Sequence, residues 1–455
     1  MPGLASILNI ARRALFSQRT GMTVTGHNIA NASTPGYSRQ RVNLIPGLPE
    51  RVSFGMLGSG VVADRVERLR ERFIDRQLRT ASSSLGEAVS QQQLLSQVEA
   101  FFNEPSDTGL NAVMTKFFSS FQDLATHPED SAMRNGVLQQ GLLLVQSFRG
   151  LASNIKSLRD DLLTGVTAKV DRINQLAKEI SDLDVQIITA RAVGAEPNDL
   201  LDQRDLKLDQ LSQLAPIHVS EDSRGSVMVS IGGTVIASRA GAVPLQATVS
   251  GTQIQITAGQ SNLTINVTGG DLGGLLKAAN VTLPGYLSQL DQLASTLITR
   301  VNQLHSAGFG IGAVPPTGIN FFTGTDASTI AVDPAITSNV NNIAASADGA
   351  PGNNSVALAL AGVGEENLLN GGTASIMQYY SGLVSGIGST IVSANSTITS
   401  QDLILTQLEN QRSSVSGVSL DEEMTKLIIY QRGFEAAARL VNSVDDMFQT
   451  ILDMV

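Results

Sequence analysis

The sequence predicts a mainly α protein, with terminal coiled-coil helices flanking a rod-like body of long helices into which a small β domain is inserted. Three observations carry this expectation. Apolar residues recur at alternating steps of four and three along both chain ends, the pattern of a narrow helix–helix seam. A helical apolar stripe runs from Met133 to Ile187 with no proline in it, far beyond the length of an ordinary globular helix. Period-two alternation is confined to one stretch, Ile217 to Val267, where strands are expected.

In chain order, the first seam occupies positions 4, 8, 11, 15, 18, 22, 25, 29 and 32, of which seven are apolar. Gly21 and Gly26 each weaken that helix by roughly 1 kcal/mol relative to alanine, so it needs a partner. Thr34-Pro35-Gly36 stops it because Pro and Gly punctuate helices. Helices are expected over about 81–102 and 110–125, then along the long stripe, then from Asn198 to about Leu214 before Pro216. Between the strands of 217–267, Gly232-Gly233 and Ser250-Gly251 supply turns. Helix resumes over about 286–306, residues 307–375 are Gly- and Asn-rich and irregular, and a further helix covers about 375–414. Ser419 with Glu422 makes a capping box for the last helix. Its seam steps through 420, 424, 427, 431, 434, 438, 441, 445, 448, 452 and 455, nine of them apolar. The resulting division is 1–45 as an N-terminal assembly segment, 46–215 and 271–414 as helical body, 216–270 as the β insert, and 415–455 as a C-terminal assembly helix.

Chemistry finds little foothold. The 455 residues include no cysteine and four histidines, His27, His127, His218 and His305, with no two at metal-ligand spacing. No catalytic, cofactor or metal site is therefore expected. Asp202, Asp205 and Asp209 share a helix face but alternate with Arg204 and Lys207, which reads as a solvated, salt-bridged surface. Gly308–Gly312 lacks the strand and helix of a phosphate loop, and Gly269–Gly274 lacks the Lys-Ser/Thr of a P-loop and reads as a hinge. His27 reads as a packed or hydrogen-bonded residue. The net charge of −10 argues against a nucleic-acid binder. Leu142–Val145 is a run of four, short of the ~20 apolar residues that cross a bilayer. No cleaved signal peptide is expected, since Arg12 and Arg13 break the apolar start.

Charge is unevenly spread. Residues 1–80 hold twelve arginines against five acids, whereas residues 415–455 hold three basic residues against seven acids. Ends of opposite sign attract one another, or attract the opposite ends of neighbouring copies. The basic stretch from Arg65 to Arg79 alternates with Glu67, Glu71 and Asp75 and reads as a salt-bridge-laced helix or contact surface.

The run Gly26-His27-Asn28-Ile29-Ala30-Asn31-Ala32-Ser33-Thr34-Pro35-Gly36-Tyr37-Ser38-Arg39-Gln40 closely resembles the N-terminal motif of bacterial flagellar axial proteins, the family of rod, hook and hook-associated proteins. Its Tyr-Ser-Arg-Gln ending is similar to the hook-associated protein 1 branch. Pro197–Asp205, Val301–Phe309 with Phe321-Phe322, and Ser416–Glu423 resemble further motifs of that branch, so the resemblance spans nearly the whole chain.

The resemblance implies export through the flagellar type III apparatus and assembly at the junction between hook and filament, outside the cell. It implies as partners copies of the chain itself, the hook protein, hook-associated protein 3, and an export chaperone on the C-terminal helix, with neither nucleic acid nor membrane. The β insert is expected to project outward. The expected assembly interface comprises Leu4, Leu8, Leu15, Met22, Asn28, Ile29, Asn31, Gly36, Tyr37 and Arg39 at one end. At the other end it comprises Leu420, Met424, Leu427, Phe434, Val441, Phe448 and Leu452. Alternatives are a flagellin- or hook-type filament subunit and, from another class, a flagellum-associated glycan hydrolase. The latter needs two carboxylates in a cleft, for which the β insert offers Glu221, Asp222 and Asp271.

Overall fold

The computed structural model describes residues 2–52, 55–259 and 262–454; of the terminal seam, Val455 lies outside them. Helix α1 (Pro2–Ala30) leads into strands β1 (Gln40–Pro46), β2 (Glu50–Val52), β3 (Gly55–Leu57) and β4 (Val61–Arg68), paired antiparallel as β1 with β4 and β2 with β3. The sequence analysis places residues 46–68 in the helical body, and these strands correct it. The ribbon is largely solvent-exposed and held by charged cross-strand pairs such as Arg41 with Glu67, so apolar alternation, the usual mark of a strand, is weak there.

The body is built on helices α2 (Arg72–Phe102), α3 (Leu110–Thr126), α4 (Ser131–Ala192) and α5 (Asn198–Leu214). Asp130 caps α4 by accepting the Ala132 N–H at 2.7 Å. The 62 residues of α4 make a rod of about 93 Å at 1.5 Å per residue. Its buried face, including Val137, Leu144, Phe148, Ile155, Val166, Ile173 and Ile180, is the stripe read from the sequence. Helix α2 begins nine residues before the expected start, because alternating charges around Ile74 and Leu78 mask its buried positions.

Strands β5 (Ile217–Glu221), β6 (Val227–Ile231), β7 (Thr234–Ser238) and β8 (Gly241–Ala242) form an antiparallel meander. Strands β9 (Leu245–Ser250), β10 (Gln253–Ala258) and β11 (Leu263–Ile265) form a second small sheet. Gly232 and Gly233, both at positive φ, make the two-residue turn that joins β6 to β7 in the geometry hairpins favour. The insert does not project from the body as expected. Val229, Ile231, Ile236, Ile254 and Ile256 are buried in the same core as α4, and Asn174 of α4 exchanges two hydrogen bonds with Leu245, at 2.7 and 2.8 Å. Strands with one apolar face need a surface to cover it, and α4 provides one.

Helix α6 (Gly270–Lys277) continues through a π-turn at 278–282 into α7 (Leu283–Ala307). The glycine-rich run that opens α6 is a tight joint rather than a hinge. A Cβ on Gly270, which sits at φ +69, would meet the Leu214 carbonyl at 2.5 Å, and one on Gly274 would meet the Glu87 carbonyl of α2 at 2.9 Å. The irregular stretch that follows carries α8 (Pro334–Ser338) and α9 (Ser355–Gly362). It folds over an aromatic knot of Phe117, Phe121, Phe321 and Phe322, all fully buried; Phe321 and Phe322 lie 4.8 Å apart edge to face, the arrangement aromatic pairs prefer. Helix α10 (Ile376–Ser416), opened by a Ser375–Gln378 capping box, runs back along α2, and α11 (Leu420–Asp453) ends the described chain.

His305 is 1% exposed. Its Nδ1 lies 2.7 Å from the Ile319 carbonyl, and its Nε2 accepts the Ala344 N–H at 2.9 Å, which fixes the neutral ring. Burial lowers its pKa from 6.5 to about 4, with Arg134 adding to the effect. Because the folded value lies below the unfolded one, the fold loses stability as pH falls from about 6.5 towards 4, by about 3 kcal/mol in full. Urea unfolding midpoints measured at pH 7 and pH 4.5 should separate less in His305→Gln than in the native chain. An unchanged separation would refute this assignment.

Candidate assembly site, the collar where both chain ends meet the body

Helices α1 and α11 pack against each other antiparallel within one chain. Asn28 meets Glu423, a Cβ on Gly21 would sit 2.7 Å from the Tyr430 ring, and one on Gly433 would sit 2.8 Å from the Gln18 side chain. Two glycines thus receive the large side chains of the opposite helix. This gives Gly21 a packing role that helix propensity alone hides; Gly26 has open space and no such role. Gly21→Val is expected to separate the two helices. Faster hydrogen exchange throughout 2–30 and 420–453, with α4 unchanged, would show it, and native-like protection there would contradict it.

The seam of this pair is half the one read from the sequence. Leu427, Phe434, Val441 and Phe448 are half-buried as expected, but they alternate with Tyr430, Ala437, Val444 and Ile451, one residue before the expected 431, 438, 445 and 452. On α1, Leu4 and Ala11 lie on the seam, which then passes through Ala14, Gly21 and Asn28. Leu15, Met22 and Ile29 are half-buried beside it, while Leu8, Leu420, Met424 and Leu452 are exposed, Leu452 at 74%. A four–three repeat can be read from either neighbour of its fixed position, and in both helices both neighbours are partly apolar, which is why the pattern alone does not set the register.

At the base of the pair the chain forms a collar of polar contacts. Asn28, 1% exposed, uses its whole hydrogen-bonding capacity. Its Nδ2 donates to the Gln40 carbonyl at 2.9 Å and Glu423 Oε2 at 2.8 Å, and its Oδ1 accepts from the Tyr37 hydroxyl at 2.7 Å and the Gln40 N–H at 2.9 Å. Arg39 donates from Nε to Glu423 at 2.8 Å, from Nη2 to Glu422 at 2.6 Å, and from its backbone N–H to the Ser416 carbonyl at 2.8 Å. Gly36, at φ +79, makes the turn that aims these residues, and a Cβ there would press Leu206 of α5 at 3.1 Å. Asn31 closes the end of α1 by bonding the His27 carbonyl at 3.0 Å. Asn28, Asn31, Gly36, Tyr37 and Arg39, expected at an interface between chains, make these contacts within one chain and shape the collar.

The three aspartates of α5 complete it. Asp202 accepts the Ser38 N–H at 2.8 Å and Arg68 Nη1 at 2.7 Å, Asp205 accepts Arg68 at 3.0 Å, and Asp209 bridges Arg79 at 2.7 Å and Arg412 at 3.0 Å. The expected salt bridging is there, but the face is covered rather than solvated, with Asp202 5% exposed. Beyond Ser38 and Arg412, its partners come from the basic stretch 65–79, which spans β4 and α2 instead of forming one helix. Burial disfavours the charged form of Asp205, yet Arg70, Arg68 and Arg79 outweigh it and hold its carboxyl below the usual range. Burial likewise opposes the charge on Glu423, and the bonds from Asn28 and Arg39 with nearby Lys426 overcome it. Burial, with Asp199, Asp202 and Glu423 around it, pushes the Tyr37 hydroxyl up, so it stays a donor. His27 is hydrogen-bonded, its Nδ1 3.1 Å from the Tyr37 hydroxyl.

Ser38, Gln40, Arg68 and Glu423 join the expected residues: the complementary charge of Arg65–Arg79 and Asp202–Asp209 points to Arg68, and the other three lie in the quoted 26–40 and 416–423 runs. The three carboxylates near the β insert are held apart in separate roles. Glu221 pairs with Arg72 at 2.7 Å, Asp271 with Lys169 at 2.6 Å, and Asp222 accepts the Arg224 and Ser226 N–H groups of its own turn.

The collar joins the 26–40, 197–205 and 416–423 segments, which are distant in sequence. A family model described as the flagellar hook-associated protein FlgK helical domain matches residues 95–322. A relative named flagellar hook-associated protein 1, from Bacillus subtilis, is 30% identical across 98% of this chain and 97% of its own length. The chain belongs to the flagellar hook-associated protein 1 (FlgK) family. The Escherichia coli protein of that name is 25% identical over 99% of this chain and 100% of its own. The ends match models described as flagella basal body rod protein, residues 8–37, and flagellar basal body rod FlgEFG protein C-terminal, residues 409–454. Those two matches cover most of α1 and α11 with their collar residues. The solved structure of the flagellar hook junction protein FlgK from Burkholderia pseudomallei shares the fold, with TM-score 0.65 and 17% identity over 75% of this chain and 100% of that one. As a FlgK-family member the chain is a hook-associated structural component of the bacterial flagellum. Among the described residues no helix is long and apolar enough to cross a membrane.

Proposed function

We propose that this chain forms the junction between hook and filament by polymerising through its paired terminal helices, and that it acts there as a structural subunit without catalysis. The observation that carries the reading is the set of large apolar side chains left outside the filled α1–α11 seam. Phe16, Met424, Ile429, Met447 and Leu452 are each about half exposed or more. An apolar surface of this kind on a helix pair marks an interaction face, and each such side chain contributes about 1.5–3 kcal/mol once covered. Copies of the chain cover it within the junction, while the hook protein and hook-associated protein 3 meet the two rims. Before assembly an export chaperone holds α11, and the chain leaves through the flagellar type III apparatus to an extracellular site.

Deleting residues 416–455 tests this. Filament subunits should then be secreted without remaining attached to cells, and attached filaments of normal length would reject the reading. The same reading expects soft ends in the monomer, since a helix pair with so much uncovered surface gains little against ordering entropy. Hydrogen exchange in 2–30 and 420–453 should run well ahead of that in α4, and equal protection would count against it.

A further inference from the structure

Beside the collar, β4, α2, α5 and β5 enclose a cleft of about 600 Å³ lined by eight arginines and five carboxylates. In a chain with net charge −10, this lining holds three more arginines than carboxylates. Arg72, Arg76 and Arg79 lie four and three residues apart, hence on one face of α2, and all three line the cleft. Arg76 makes no ion pair among the described residues. Deeper in, the Arg79 side chain is 10% exposed and Arg204 3%. Among the described residues, Arg79 Nη2 and Arg204 Nε have no hydrogen-bond partner, with Asp205 Oδ1 3.5 Å from Arg79 Nη2. A buried guanidinium N–H left unbonded costs free energy, and a carboxylate is the group whose geometry matches it.

We propose that this cleft receives the acidic tip of α11 from a second copy of the chain. The inference rests on the polymerising function proposed above. Asp446 and Asp453 are exposed, seven residues apart, and therefore on one face of α11. Neither makes an ion pair among the described residues. Their spacing equals that of Arg72 and Arg79. The chain's own tip does not reach the cleft, because α11 is anchored at the collar through Glu423 and 23 helical residues carry Asp446 about 34 Å away. The contact is thus head to tail, joining different surfaces of successive subunits, and its attraction weakens with salt.

The native chain has no cysteine, so an introduced pair reports on its own. Arg76→Cys with Asp446→Cys is placed in cells that depend on this chain for assembly, and purified flagella are oxidised and run without reducing agent. The expected result is covalent dimers and longer chains from the double variant, with neither single variant giving more than trace dimer. A double variant present in the flagella but yielding only monomer, or an Arg76→Cys variant alone giving the same ladder, overturns the cleft assignment. It leaves the junction reading standing, which fails instead if the native chain is missing from purified hook–filament preparations. Should the cysteine pair fail to assemble, charge exchange decides. Arg72→Glu with Arg76→Glu, and Asp446→Lys with Asp453→Lys, should each cut filament attachment at least tenfold, and the four changes together should restore it. No restoration overturns the proposal.

Discussion

Glu423→Ala is expected to free α11 from the collar. The side chain is 1% exposed and accepts from Asn28 and Arg39, so its removal leaves a buried amide N–H and a largely buried guanidinium without their acceptor. Breaking one side of such a pair costs about 3–5 kcal/mol. Hydrogen exchange in 420–453 should accelerate by two orders of magnitude or more while α4 keeps its protection. Glu422→Ala is the control: that carboxylate also bonds Arg39 but is 62% exposed, and surface pairs contribute about 0–1 kcal/mol. Equal effects from the two substitutions would refute the collar's dependence on Glu423. The pH dependence has a definite sign. Glu423 titrates below its ordinary value when folded, so its contribution is complete above the usual carboxylate range and is lost as pH falls below it. Glu423→Ala should remove that part of the acid sensitivity.

Asp184→Ala should have a comparable effect on the body. Asp184 is fully buried and accepts Arg204 Nη1 at 2.8 Å, the Ser226 hydroxyl at 2.6 Å and the Val227 N–H at 3.0 Å, tying α4, α5 and the start of β6 together. The single substitution strands a guanidinium that is 3% exposed, and a loss of about 3–5 kcal/mol in urea unfolding is expected. Asp184→Leu combined with Arg204→Met removes both charges and should be less destabilising than Asp184→Ala, because an apolar pair of similar volume has no charge to desolvate. A double variant as unstable as the single would mean that the bonds to Ser226 and Val227, not the ion pair, hold this joint.

The long elements were legible because each carries one unbroken physical signal. The 62-residue α4 follows from an apolar stripe without a proline, α5 from its opening asparagine and the proline after it, and the β insert from alternation and paired glycines. The β1–β4 ribbon was not, since strands lying mostly in solvent have no apolar face to announce them. The terminal helices read as needing partners, each other or neighbouring copies, and within the chain they pair with each other; the seam register turned on whether Tyr430 or Gln431 points inward. Gly21, opposite Tyr430, decides that, and it appears in the sequence only as a weak helix former. The collar was half legible. Its charges were visible as two complementary stretches, yet nothing local says that Asn28 spends all four of its hydrogen bonds on groups as far apart as Gln40 and Glu423.

The Asn28–Glu423 bond closes a loop of 395 residues. The entropy of bringing such distant points together grows only with the logarithm of their separation, so the closure is affordable, but it is necessarily late. A polypeptide emerging amino-end first carries α1 with β1 and β4 but not α11 against it until that last helix follows. A product cut short anywhere before Glu423 leaves the α11 side of α1 uncovered.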